Sequence, residues 1–282
     1  MNEPAFARHD PRIAAIPLVL DSPHSGERYP ADFDHAPPRA LVRQAEDTHV
    51  GRLWSGACER GATLIEALFP RAYIDANRNV ADIDAELLAD AWPDPVATTR
   101  KSAQGIGLVW RLARGGVPMY ARKLRASEVR ARIDGCWRPY HEALRQALDE
   151  RHRAFGAVWH IDCHSMPAVG DALSDDPGRE RADFVLGDRD GTTCAPAFTR
   201  IVAGTLRSFG YDVAINDPYK GVALIARLGR PRERRHSLQI EMHRGLYMNE
   251  KTRERSSGFN TVKAALGEVA REIASYIKEQ LK

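Results

Sequence analysis

Four stretches of this chain are apolar, strand-like runs that end in groups able to bind a metal ion or move a proton. They are residues 16–24, closing on Asp21-Ser22-Pro23-His24; 72–78, with Asp75, Asn77 and Arg78; 157–164, with His160, Asp162 and His164; and 237–244, with Glu241, His243 and Arg244. In an open α/β sheet, ligands bind in the crevice beyond the carboxyl ends of the strands, so residues at those ends converge although they are far apart in sequence. His24 and His164, several carboxylates and two arginines then share one cleft. That inventory suits a single catalytic metal ion, zinc first among them, with a glutamate acting on its water.

The chain of 282 residues is near the upper size for one hydrophobic core, so a single domain over 1–282 is expected. Its net charge of +3 comes from 41 basic and 38 acidic residues spread along the sequence. No basic block resembles a nucleic-acid arm, which argues against nucleic acid as a partner. The first 17 residues include Asn2, Glu3, Arg8, His9 and Asp10 and lack the apolar core of a signal peptide, and no run approaches the roughly 18 apolar residues of a membrane span. A cytoplasmic location away from membranes is the expectation. Cys58, Cys136, Cys163 and Cys194 form no C-x-x-C pair and read as reduced thiols. Strand alternation points Cys163 away from Asp162 and His164, as a small buried hydrophobe.

Strand-like and helix-like runs alternate, as expected of an α/β fold with crossover helices. Residues 182–187 and 211–216 add two strands. Helical spacing of Leu41, Val42, Ala45, Val50, Leu53, Trp54 and Ala57 predicts an amphipathic helix over 38–60. A longer helix over 125–154 is interrupted or kinked near Pro139, and residues 195–209 and 260–281 complete the set. Residues 91–116 are irregular and carry Arg100, Lys101, Arg111 and Arg114, which either face an anionic ligand or belong to a solvated insertion. Residues 170–181 read as a surface loop.

Several residues carry chemistry. His24, on a turn made by Pro23 and Gly26, offers an imidazole at a strand end. His164 has Asp162 two residues before it on the same strand face, where a carboxylate can accept the second N–H of a metal-bound imidazole. For a third ligand, Glu27 (H-x-x-E from His24) and Asp47 compete, and the residues alone leave both open. Glu241 projects from a strand end and is the candidate general base; its alternative role is a pair with Arg244. Arg78 is a bidentate clamp for a substrate acid group with Asn77 orienting it, or else one side of a structural ion pair. His243 is a further substrate or outer contact.

Taken together, these segments resemble the N-formylglutamate amidohydrolase family, within the zinc-carboxypeptidase-like and aspartoacylase-like fold group. The matching residues are 22–26 with Tyr29-Pro30, Glu46-Asp47, 69–75 with Asn77-Arg78, 162–167, 185–189, 216–219, and 238–241 with 246–248. The resemblance implies an α/β fold around a mixed, largely parallel sheet flanked by helices, one zinc ion per chain, and hydrolysis of an N-acyl amino acid. The substrate it implies is N-formyl-L-glutamate, cleaved to formate and glutamate in histidine degradation. It favours Asp47 over Glu27, which makes His24, Asp47 and His164 the expected metal ligands; the residues themselves give Glu241 and Arg78 as catalytic groups, Glu241 as the base, and Asn77, Arg78, Arg111, His243 and Arg244 as substrate contacts. Two positions depart from the family pattern: position 27 is often arginine in relatives, and His243 stands where many have asparagine or another polar residue. The nearest alternatives are a zinc deacylase or carboxypeptidase-like hydrolase for another N-acyl amino acid or small peptide, and a non-catalytic binding protein for acidic metabolites. Another divalent ion in place of zinc is the alternative for the metal.

Overall fold

The computed structural model describes residues 4–171 and 174–282. Its strands are β1 (Phe6–His9), β2 (Leu18–Ser22), β3 (Thr63–Ala67), β4 (Leu112–Ala113), β5 (Val117–Pro118), β6 (Val158–Met166), β7 (Phe184–Gly187), β8 (Val213–Ile215) and β9 (Arg235–His243). Seven of them form one sheet in the order β1-β3-β2-β6-β9-β7-β8, and β4 and β5 pair separately. β6 runs parallel to both β2 and β9, and β8 is parallel to β7, while β7 pairs antiparallel with β9. The fold is therefore α/β with a mixed, mostly parallel sheet and flanking helices.

Period-two alternation decides what each face of the central strands carries. Leu18, Leu20, Trp159, Ile161, Cys163, Leu238, Ile240 and Met242 belong to the hydrophobic core, together with Phe198, Val202 and Leu206 of the Pro196–Ser208 helix and Val262, Leu266, Val269 and Ile273 of the Phe259–Gln280 helix. The intervening positions, Asp21, His160, Asp162, His164, Ser237, Gln239 and Glu241, are polar and also buried. Parallel pairing aligns Asp21 with Asp162, Asp162 with Gln239, and His164 with Glu241.

Contacts group the chain into two compact units. The first comprises Met1–Ala7, Pro23–Thr48 and Glu66–Ala143. Its interior holds the buried Arg132, which donates to the Tyr73 carbonyl at 3.1 Å and to the Tyr120 hydroxyl at 2.7 Å. The Arg132 guanidinium also lies 4.1 Å from the Tyr73 ring centre. The second unit, Arg8–Ser22, His49–Ile65 and Leu144–Lys282, contains the hydrophobic core just described.

Two expectations need correction. Residues 72–78 are turns, and the strand lies earlier, at Thr63–Ala67. Local bonds explain this: Tyr73 N donates to Pro70 O, Arg78 N to Asp75 O, and Asn77 N to the Asp75 carboxylate, so the backbone is satisfied without a ladder. The helix over 38–60 is broken into Arg39–Val42, a 3-10 turn Arg43–Ala45, Val50–Trp54 and a 3-10 segment Ser55–Arg60. At the break Glu46 is extended and His49 adopts φ 73°. The buried Glu46 carboxylate accepts from Tyr29, Arg43 and Thr48, a set of bonds that continuous helix does not supply.

The long helix is divided into Ala126–Arg132, a π-helical turn Ile133–Trp137 and Arg138–Phe155. The wide turn ends two residues before Pro139, which has no amide hydrogen for the residue 135 carbonyl and whose ring would crowd it. Phe6–His9 and the helix Ala223–Leu228 were not expected from sequence. The irregular character of 91–116 is relieved by a short helix, Arg100–Ala103, capped by Thr99 and Ser102. The loop expected over 170–181 includes Ala172 and Leu173, which lie outside the described residues, as do Met1, Asn2 and Glu3 of the amino-terminal segment. No helix of the described residues is long and apolar enough to cross a membrane.

Leu238, with no exposed surface on the central strand β9, tests the packing. Leu238→Ala is expected to destabilise the protein by about 2–5 kcal/mol in chemical denaturation. A loss under about 1 kcal/mol would contradict a tightly packed core face.

Candidate active site

His24 follows β2 directly on the turn closed by Gly26, whose position a side chain cannot share: a Cβ there would lie 2.1 Å from the Phe69 carbonyl oxygen. The imidazole is buried between two carboxylates. Its Nε2 is 2.7 Å from Asp75 Oδ1 and its Nδ1 is 3.3 Å from Asp47 Oδ2. An ionised carboxylate only accepts, so the short bond places the proton on Nε2 and a lone pair on Nδ1. Nδ1 and Asp47 Oδ2 are then two electron-rich atoms facing each other, an arrangement that a proton or a metal cation between them stabilises.

The helix break is what presents Asp47. Its amide donates to the His24 carbonyl at 3.0 Å, and its carbonyl accepts from the Ser25 hydroxyl at 3.3 Å. Glu27, the competing acid, is half exposed and pairs with Arg43 at 3.2 Å.

Asp75 was not recognised as a histidine partner from sequence, because 51 residues separate it from His24. It is a hub. Besides His24 it accepts from the Asn77 amide at 2.9 Å and from Arg71 Nη2 at 2.9 Å, and Arg78 Nε lies 3.8 Å away. Burial alone would raise its carboxyl, but Arg71, His24 and Arg78 together hold it well below the usual carboxylate range. Arg111 is engaged elsewhere, by Asp84 at 2.7 Å and Glu86 at 2.9 Å.

In the second unit, β6 carries His164 with its Nε2 2.7 Å from Asp162 Oδ1. Burial pushes the Asp162 carboxyl up; His164 pulls against this, while the charge of Asp21 adds to it. Glu241 is the register partner of His164 on β9, and one of its oxygens accepts from Gln239 Nε2 at 3.0 Å. Arg244 is buried, with Nε 3.2 Å from Ser165 Oγ and Nη2 3.3 Å from Ser165 O. The half-buried His243 ring lies over Gly245, where a Cβ would approach it to 2.8 Å.

Further along the same sheet face, His160 lies 2.8 Å from Asp21 Oδ1 and 2.7 Å from Ser237 Oγ. These are the residue types of a nucleophilic triad, but all three are buried to within 1% of full coverage. They brace β2, β6 and β9 rather than meet a substrate. Cys163 faces the hydrophobic core, and burial raises its thiol well above the ordinary range. Two further residues border Glu241 electrostatically: Arg181, not singled out from sequence and held by a two-point bond to Asp176, and Tyr219 of the family-matching segment 216–219, whose ring centre is 5.1 Å from the Arg181 guanidinium carbon.

Among the described residues, His24, Asp47 and His164 form a group that fits a metal ion: each offers one ligand atom, these atoms all lie within 4.8 Å of one another, and all three residues are buried. Two imidazoles and a carboxylate are the donor types of a catalytic zinc site with an open position. Each imidazole also has a carboxylate at its Nε2, the outer partner that fixes a ligand histidine's tautomer.

The sequence pattern of the N-formylglutamate amidohydrolase family matches residues 16–248. The chain belongs to that family. Two N-formylglutamate deformylases, from Pseudomonas putida and Pseudomonas aeruginosa, are 31% and 30% identical over 243 residues, covering 83% of this chain and 83% of each relative. The crystal structure of N-formylglutamate amidohydrolase from Ralstonia eutropha JMP134 superposes with a TM-score of 0.93 at 48% identity, covering 98% of this chain and 99% of the other. A protein of Agrobacterium tumefaciens, 18% identical with a TM-score of 0.72 over 98% of this chain and 97% of its own, shares the fold. This member of the family is thus a hydrolase with a possible His-Asp-His metal site.

The two candidate acids separate cleanly by experiment. Asp47→Ala is expected to weaken divalent-metal binding by at least the 10- to 100-fold that loss of an outer partner alone produces, while Glu27→Ala leaves it within about three-fold, as measured by competition with a chromogenic chelator. The reverse order would make Glu27 the ligand.

Proposed function

We propose that this chain hydrolyses N-formyl-L-glutamate to formate and L-glutamate, with one zinc ion held by His24, Asp47 and His164. The observation that carries the reading is the convergence of those three ligand atoms, with Glu241 in register beside His164. Membership of the family supports the substrate. On this reading the reaction belongs to histidine degradation.

A bound zinc ion supplies Lewis acidity and lowers the pKa of water toward ~7. The chain's residues do the rest. Glu241 takes the proton of the attacking water and returns it to the leaving amine, one carboxylate oxygen being steadied by Gln239. Asp75 and Asp162 hold the Nε2 side of each ligand histidine. The substrate carries two carboxylates, and buried arginines recognise such groups through paired N–H bonds. Arg78 and Arg244 are assigned to them, with Asn77 and His243 as neighbours that orient the substrate. Arg111 is left out of the clamp because Asp84 and Glu86 already occupy its guanidinium.

Metal content and formate release before and after chelation test the scheme together. About one zinc per chain with turnover abolished by chelator and restored by zinc is expected. Glu241→Gln is expected to keep the metal and lose about 10²- to 10⁴-fold in kcat, the range of general acid–base catalysis. Near-normal turnover of that variant would remove Glu241 from the role of base. A metal-loaded protein inactive on formylglutamate but active on another N-acyl amino acid would keep the site and change the substrate.

A further inference from the structure

The π-helical turn Ile133–Trp137 has no part in the site described above, yet such turns recur at functional sites. Its geometric effect is specific. Residues five apart in an α-helix of 3.6 residues per turn point about 140° away from each other, whereas the i→i+5 bonding of a π turn brings them toward one side. Arg132 and Trp137 are five apart, bracket this turn and both point inward. Arg132 Nη1 donates to the Tyr73 carbonyl at 3.1 Å, and Trp137 Nε1 donates to the Arg78 carbonyl at 3.2 Å. The two side chains therefore grip both ends of residues 73–78, the turn segment that carries Asp75, Asn77 and Arg78. The indole is itself held, its ring centre 3.8 Å from that of His141.

What this grip holds is an arginine whose charge the protein leaves partly unanswered. Arg71 makes two bonds to Asp75, and Arg111 is paired with Asp84 and Glu86. Arg78 approaches Asp75 no nearer than 3.8 Å, with Asp82 adding a longer-range attraction, and its Nε is buried without a hydrogen bond. Burial lowers its pKa, against the opposing pull of Asp75. A partly buried guanidinium without a close ion pair favours an incoming anion, and its usefulness depends on where its main chain is fixed.

We propose that Trp137, aimed by the π turn, is a positioning residue for substrate recognition: its indole N–H fixes the Arg78 main chain so that the guanidinium meets a substrate carboxylate. This rests on the reading that Arg78 binds that carboxylate. The α-helical remainder on either side then keeps its own inward face, and the proline that follows the turn is the local reason the widened turn forms there.

The test compares wild type, Trp137→Phe, Arg78→Ala and the double variant on N-formyl-L-glutamate, with metal content and thermal melting recorded for each. Trp137→Phe removes the donor and keeps a ring. Its KM is expected to rise about three- to ten-fold, the scale of one hydrogen bond, with kcat within about two-fold and metal content unchanged. Arg78→Ala is expected to raise KM further, and the double variant to match Arg78→Ala alone. KM does not depend on the fraction of molecules folded, so a less stable preparation does not imitate the effect; Trp137→Tyr serves as a second variant. Gly135→Ala, inside the same turn where an added Cβ meets nothing within 4 Å, is expected to behave as wild type. If Arg78→Ala raises KM and Trp137→Phe does not, or if the two effects multiply in the double variant, the positioning role is overturned. If Arg78→Ala leaves KM unchanged, the carboxylate reading of Arg78 fails and the inference falls with it.

Discussion

The structure depends on how it buries charge. Asp21, His160, Asp162, His164, Ser237, Gln239 and Glu241 line one face of three adjacent strands, each with 9% or less of its surface exposed, directly behind a mainly apolar face. An unpaired charge there is unfavourable by several kcal/mol, so every group must be answered by a neighbour. Toward the start of the strands the answer is internal, because Asp21, His160 and Ser237 satisfy one another. Toward the carboxyl ends the polar groups are His164 and Glu241, register partners on β6 and β9, which the proposed reading assigns to metal and water. The same alternation that packs the core thus delivers the site.

The two carboxylates behind the ligand histidines are not equivalent. Asp75 is surrounded by Arg71, Arg78 and His24 and stays firmly anionic despite burial. Asp162 has His164 on one side and the acid Asp21 on the other, with the balance tilted toward protonation. On the proposed reading, a divalent cation among His24, Asp47 and His164 would favour the ionised form of both carboxyls, since each contacts one of the two histidines at 2.7 Å.

The alternating strands were legible in the sequence: the run at 16–24 contains β2, those at 157–164 and 237–244 cover most of β6 and β9, and Cys163 faces away from Asp162 and His164 as its position predicts. What misled was local pattern overridden by distant partners. Residues 41–57 keep helical spacing across 45 and 50, so nothing in periodicity reveals the break at Glu46; the cause is a buried carboxylate bonded to Tyr29, Arg43 and Thr48. Residues 72–78 look like a strand by composition, but Asp75 and Pro70 supply the backbone with nearer acceptors. The partnership of Asp75 with His24 has no local signal at all. Arg111 reads as available in a cationic loop, and only the fold shows it held by Asp84 and Glu86.

Most of the chemistry sits on backbone that no ladder or helix holds, and long side chains take over that task. Asp47 lies in a helix break and is fixed through the His24 carbonyl and Ser25. The 73–78 turn is fixed at its ends by Arg132 and Trp137. Arg244, just past the end of β9, is fixed to Ser165. A site of this kind needs its groups held to within a fraction of an ångström, and an irregular segment meets that demand only when its free backbone groups are pinned. Glu46, Arg132 and Trp137 touch no substrate on this view, yet the placement of Asp47, Asp75 and Arg78 follows from them. The residues most exposed to disruption by distant substitution are therefore those on the turns rather than His164 and Glu241, whose strands are secured by the whole sheet.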